Sequence, residues 1–449
     1  MAVDLVIKGG KVYTPDGFYE GNVVVDYGEI VSLTRGMVPE ASRVLDASGC
    51  LVLPGMIDMH VHFRDPGFTE REDFESGTRS AAAGGVTTVA DMPNTVPSVT
   101  SVEAVREKVG IAGGKALVDF ALIAGAGELS SETLRELAGE GVVGYKTFMI
   151  ARFKELAASD SQMLKNFNVI AGMGLPCMIH AENQDIVAGG IERAKAMGRV
   201  DPIAHSEFRP PIAEDEATLR TVMLSEGSGV HLHICHMSTQ GSAEILSWAK
   251  RKGRKVTGET SANYLFLKAE DMKELGPYAK IDPPLRGPEH QKALWTAINT
   301  GVIDAFASDH APYPREDKEK GWEDIFEAPS GGTGVETSLP LMLDSVRKGL
   351  ISLERLVGIF SETPAKIMGL YPRKGALIPG ADADIAIIDP GEEFEIKGEN
   401  LHSKQKVTAF EGYKGEGIPI TTIVRGEMVM EQGEVIGRPG YGEYQRPLP

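Results

Sequence analysis

The chain has 449 residues, 42% hydrophobic and 24% charged, the composition of a soluble globular protein with one large domain or two smaller ones. A net charge of -18 excludes nucleic acid and anionic membrane surfaces as partners, because both select for basic patches. The three cysteines, Cys50, Cys177 and Cys235, are too few and too far apart for a disulfide framework. With no signal-like N-terminus and no apolar run near ~18 residues, the expected location is cytoplasmic.

The first 52 residues read as short strands with glycine turns, beginning with a strand from Val3 to Ile7 and including a hairpin about Tyr27–Gly28. Residues 53–372 change texture. Eight apolar, strand-like runs alternate with helical segments, among them Ser101–Gly110, Ser131–Gly141, Asp215–Glu226, Ser242–Lys252 and Glu289–Asn299. Strand, helix, strand at this spacing implies parallel strands joined by crossovers, and eight such units predict a closed (β/α)8 TIM-type barrel. No G-x-G-x-x-G turn follows the first run, which disfavours a doubly wound open sheet. Residues 373–449 return to short strands and glycines. The two ends, 1–52 and 373–449, are therefore expected to pair into one small β-sandwich domain beside the barrel.

The apolar runs finish on polar residues. The first ends in His60-Val61-His62, the fourth in Lys146, the fifth in His180, the sixth in His236 and the eighth in Asp309-His310. In a barrel the C-terminal strand ends meet on one face, so residues more than 200 positions apart would surround one point. Positions i and i+2 of a strand point the same way, which lets His60 and His62 grip one ion. Imidazole with carboxylate suits zinc, iron, nickel or manganese, and a structural zinc site would bring cysteines. The alternative for any single histidine is a satisfied structural role, and that role is expected for His205, His231, His233, His290 and His402. Lys146 is ambiguous. It reads either as a surface lysine or as an amine that, crowded by cations, adds carbon dioxide to become a bridging carbamate.

Together "GMIDMHVHFRDPG", "GYKTFM", "MIHAEN", "HICHMS" and "ASDHAP" resemble the cyclic amidohydrolases: dihydroorotases, hydantoinases, dihydropyrimidinases and allantoinases. The likeness extends to the C-terminal "LHSKQKVTAFEG" and "VRGEMV". It implies a binuclear, zinc-dependent hydrolase acting on a small cyclic amide, assembled as a dimer or tetramer. It implies that His60, His62 and Asp309 hold one divalent cation, that His180 and His236 hold a second, and that carboxylated Lys146 bridges them. Water activated between the cations would attack, with Asp309 as general base and then general acid.

For the substrate, "FRDPG", "EDFESG" and "MPNT" resemble dihydroorotases, a family of pyrimidine metabolism, and imply that Arg64 and Asn94 hold a substrate carboxylate. Two positions depart from that pattern: Tyr313 stands where histidine is usual, and Asp282 where asparagine is usual. Both would lie at the substrate. The hydantoinase alternative departs too, since Ala151 replaces the tyrosine expected five residues after the lysine. The "SGGTG" turn at 330–334 could offer backbone groups to the ring amide or be only a flexible turn. A relative that has lost its metal ligands and serves as a non-catalytic scaffold is the alternative from another class.

Overall fold

The computed structural model describes residues 2–151 and 155–449. Its two ends hydrogen-bond into one nine-stranded sheet. The N-terminal strands are Val3–Thr14, Gly17–Asp26, Glu29–Thr34, Ala41–Asp46 and Leu51–Pro54. The C-terminal ones are Ile385–Glu395, Lys414–Val424, Glu427–Glu431 and Glu434–Val435. The seam is antiparallel, pairing Leu51 with Ile388 and Pro54 with Ile385. Tyr27 and Gly28 turn the hairpin with φ of 51° and 78°, the left-handed pair that a two-residue hairpin loop requires. Leu5, Val23, Ile385 and Ile423 help to form an apolar core on this sheet, separate from that of the barrel.

The second sheet is the barrel. Eight strands follow one another in chain order, all in parallel: Met56–Val61, Val86–Asp91, Asp119–Gly125, Gly144–Phe148, Pro176–His180, His231–Ile234, Val256–Thr260 and Ala305–Phe306. The ring closes just beyond the short last strand, where a bridge joins Val61 to His310 and the His62 N–H donates to the His310 carbonyl at 2.8 Å. Nearly all residues of these strands are buried, because both faces are covered, one by the barrel interior and one by helices.

The helices start where the sequence supplies caps. Asp73, Ser101, Ser130, Ser159, Asn183 and Thr239 each accept an N–H of the first turn. The predicted helices lie at Val102–Lys115, Ser131–Gly139, Ile212–Leu224, Gln240–Arg251 and Pro288–Asn299. Barrel and terminal sheet are tied by a buried ion cluster. Lys374 Nζ reaches Asp382 at 2.8 Å and Asp384 at 2.7 Å, and also pairs with Asp119 at the foot of the third barrel strand. Among the described residues no helix is long and apolar enough to cross a membrane.

Candidate metal centre at the barrel mouth

One cavity opens at the C-terminal ends of the barrel strands. His60, His62, Arg64, Lys146, His180, Asp282, His236, Asp309 and Tyr313 all line it. The residues singled out in the sequence are thus brought together, with Asn94 set just behind Arg64. His60 Nε2 and His62 Nε2 lie 3.4 and 3.3 Å from the same oxygen, Asp309 Oδ1. His180 Nδ1 and His236 Nε2 lie 3.0 Å apart. The ring centres of His60 and His236 are 5.4 Å apart, so the two groups adjoin. Lys146 is fully buried, with Nζ 2.9 Å from Cys235 Sγ and 5.2 Å from the Phe148 ring centre, and that ring stacks on His180.

Three of these residues sit on strained backbone. Arg64, His236 and Asp309 have φ of 62°, 37° and 51°, a region that costs a side-chain-bearing residue of order 1–3 kcal/mol. The strain is set by position. Each lies where the chain leaves a strand end and must turn a side chain back over the barrel axis.

Burial shapes the charges. It holds the His60 imidazole down at about 4, aided by Lys146. It holds His62 and His236 well below their ordinary range, aided by neighbouring cationic groups. All three are neutral at pH 7, the form that binds a metal. Asp309 is pushed up to about 8 by burial, with Glu259 and Asp58 adding to the push against Lys146 and Arg64. A cation beside it would reverse that preference. The donor set fits such ions on independent grounds. His60 Nε2, which faces Asp309, is a buried ring nitrogen without a hydrogen-bond partner among the described residues. His60, His62 and Asp309 offer three ligand atoms within 4.8 Å of one another.

Supporting residues complete the site, and sequence reading missed them. Glu259, at the end of the seventh strand, accepts from His60 Nδ1 in a short contact. Glu182 takes His180 Nε2 at 2.8 Å, and Arg209 grips Glu182 through Nε at 2.7 Å and through Nη2. Burial opposes ionisation of Glu182, yet Arg209 and His180 hold its carboxyl at about 2. The signal was available: a lone glutamate in an otherwise buried strand end, as in "HAEN" and "TGETS", must have partners.

The substrate-side residues divide. Arg64 is buried and donates to the Asn94 carbonyl at 3.2 Å and the Tyr313 hydroxyl at 3.4 Å. Its Nε and both Asn94 side-chain amide atoms have no partner among the described residues. Asp282 faces the cavity, but its Oδ1 already takes Arg209 Nη1 at 2.6 Å and approaches His205 Nε2 at 3.3 Å, so it anchors the wall. In the 330–334 turn, Gly331 donates its N–H to the Lys280 carbonyl and its carbonyl accepts from Lys318 Nζ at 2.8 Å, so its backbone holds the loop. Ala151 is exposed and binds the Gln184 side chain through its N–H; the rest of the loop after Lys146, residues 152–154, lies outside the described residues.

Comparison with known proteins identifies the family and the fold. The model of the amidohydrolase family matches residues 51–429. An L-hydantoinase of Paenarthrobacter aurescens is 37% identical over 98% of this chain and 97% of its own length. A dihydroorotase of Geobacter sp. (strain M21) is also 37% identical, over 96% of this chain and all of its own. The solved structure of L-hydantoinase (dihydropyrimidinase) from Arthrobacter aurescens superposes with a TM-score of 0.96 at 37% identity, covering 98% of this chain and 99% of that one.

Proposed function

The chain belongs to the amidohydrolase family, and from that premise we propose that it hydrolyses the C–N bond of a cyclic amide whose ring carries a carboxylate, a dihydroorotase-type ring opening. The observation that carries this reading is the placement of Arg64, a buried cation, on the wall of the cavity lined by His60, His62, Lys146, His180, His236 and Asp309.

Two divalent cations, zinc by preference, would be held by His60, His62 and Asp309 and by His180 and His236. A carboxylated Lys146 would join them. Among the described residues Lys146 makes no ion pair with a carboxylate, and the carbamate would replace an uncompensated buried cation by an anion. When bound, the cations supply Lewis acidity that activates water and polarises the ring carbonyl. The protein does the rest. Arg64 and Asn94 hold the carboxylate and so place the amide against the histidines. Asp309 takes the proton of the attacking water on its carboxylate and returns it to the departing ring nitrogen. Glu259 and Glu182 hold the His60 and His180 rings in one orientation.

A second reading, hydrolysis of an uncharged hydantoin or dihydropyrimidine, is favoured by the likeness to L-hydantoinase and by Tyr313, whose hydroxyl takes one end of Arg64. Cytoplasmic residence, a dimer or tetramer, and the division at 52/53 and 372/373 belong to the same proposal, resting on composition, resemblance and texture of the sequence.

Turnover of dihydroorotate, dihydrouracil, hydantoin and allantoin, with zinc, cobalt and manganese each supplied, tests it. Ring opening of hydantoin without dihydroorotate selects the second reading. No turnover, with less than about one ion per chain after gentle preparation, would leave a non-catalytic scaffold.

A further inference from the structure

The interior of a (β/α)8 barrel is ordinarily packed with branched apolar side chains. Here a file of polar groups runs through it. His231 and His233 share one face of the sixth strand, Thr257 and Glu259 one face of the seventh, and His233 pairs with Thr257 in register. His231 Nε2 and His233 Nδ1 each lie 2.9 Å from Thr257 Oγ1. His233 Nε2 lies 3.2 Å from Glu259 Oε2, and Glu259 Oε1 meets His60 Nδ1. His233 and Glu259 are fully buried.

The donors in this file can run in one consistent sense. If His60 is to present the lone pair of Nε2 to the cavity, its Nδ1 must carry the hydrogen and donate to Glu259. The second Glu259 oxygen is then an acceptor, so His233 must be the Nε2–H tautomer. His233 Nδ1 then needs a donor, which is the Thr257 hydroxyl. The Thr257 oxygen in turn accepts from His231 Nε2–H. Each link fixes the next.

We propose that His233, backed by Thr257 and His231, is a positioning residue for the metal centre: it orients Glu259 and thereby selects the His60 tautomer that can bind a cation. The inference rests on the reading that His60, His62 and Asp309 hold a cation. It gives His233 a task that neither the sequence nor the family's motifs assign.

The test is zinc affinity, measured by competition with a chromophoric chelator, together with metal content and the unfolding midpoint of the metal-free protein. Three variants are compared with the parent chain. His233→Leu is expected to weaken one of two bound zinc ions by about 10- to 100-fold, the usual effect of losing an outer hydrogen bond. Thr257→Val, which keeps the shape and removes the hydroxyl, should weaken the same ion several-fold and decides the matter if His233→Leu does not fold. His233→Gln keeps a donor toward Glu259 and should restore most of the affinity. Parental affinity in either His233→Leu or Thr257→Val overturns the inference alone, as does equal loss of both ions or no rescue by glutamine. A parent chain that takes up no zinc overturns the underlying metal reading as well.

Discussion

Replacing Arg64 by methionine should separate a carboxylate-bearing ring from an uncharged one. Arg64 is 4% exposed and uses two of its five N–H donors, at 3.2 and 3.4 Å, on the Asn94 carbonyl and the Tyr313 hydroxyl. Nε has no partner among the described residues. Enough donors remain for a two-point grip on a carboxylate, and hydrogen bonds to charged groups contribute about 1.5–3 kcal/mol each. Losing two amounts to roughly 3–6 kcal/mol, or about 10²- to 10⁴-fold in kcat/KM at 1.36 kcal/mol per decade. Methionine keeps the length of the stem and must adopt the same left-handed backbone, so fold and cavity shape are little changed. Ultraviolet assays of ring opening on dihydroorotate and on hydantoin give the two values. Dihydroorotate should lose the full factor while hydantoin loses less than about 3-fold. Equal losses on both substrates, or undiminished dihydroorotate turnover, would refute the carboxylate role.

Lys146→Ala should strip bound metal and lower turnover on the order of 10³-fold or more, with partial return on adding a short carboxylic acid; metal analysis and kinetics check both, and a fully loaded variant would refute the bridging role. Acid should destabilise the metal-free protein through His231. Burial holds its imidazole down at about 3 against an unfolded value near 6.5, so the unfolded chain binds the extra proton. The contribution is complete above pH 6.5 and fades as pH falls toward 3, by about 2–3 kcal/mol at pH 4.5. His231→Gln should flatten that dependence in urea titrations at pH 7.5 and 4.5, and parallel behaviour of parent and variant would exclude it. Lys374→Met leaves Asp119, Asp382 and Asp384 facing one another, and should lower stability by about 3–5 kcal/mol. A melting temperature within 1 °C of the parent's would contradict that role.

What could be read from the chain was set by periodicity and position. Eight apolar runs at crossover spacing define the barrel, because parallel strands covered on both faces need continuous apolar sequence. The metal-ligand candidates stood out because each is a polar residue at the end of such a run. Glu259 and Arg209 escaped because their importance lies in contacts with residues 199 and 27 positions away, which no local pattern encodes, whereas Glu182 sits two residues from His180 and was legible as a buried glutamate at a strand end. His233 was read as a satisfied structural histidine. It is satisfied, but its partner is the carboxylate that orients His60. Asp282 was placed at the substrate from its neighbours in sequence. That its oxygen is already held by Arg209 and His205 depends on a helix and loop over 70 residues earlier.

Overall similarity does not choose the substrate, since a hydantoinase and a dihydroorotase are equally identical to this chain. The choice falls on a few side chains around Arg64. Among the described residues Arg64 forms no ion pair with a carboxylate, although it is buried. An unpaired buried cation is expensive, and a carboxylate on the ring would pair it. Tyr313, at the position where the resemblance expects histidine, lies between two guanidinium groups, with Arg64 5.9 Å and Arg71 4.9 Å from its ring centre. Arg71 thus brings a second positive charge beside Tyr313, whose hydroxyl accepts from Arg64 at 3.4 Å. In a chain of net charge -18, this local concentration of cations is what would draw an anionic ring to the barrel mouth. It follows that removing Arg71 should raise KM for a carboxylate-bearing ring with little change in kcat, whereas removing Arg64 should raise KM and lower kcat.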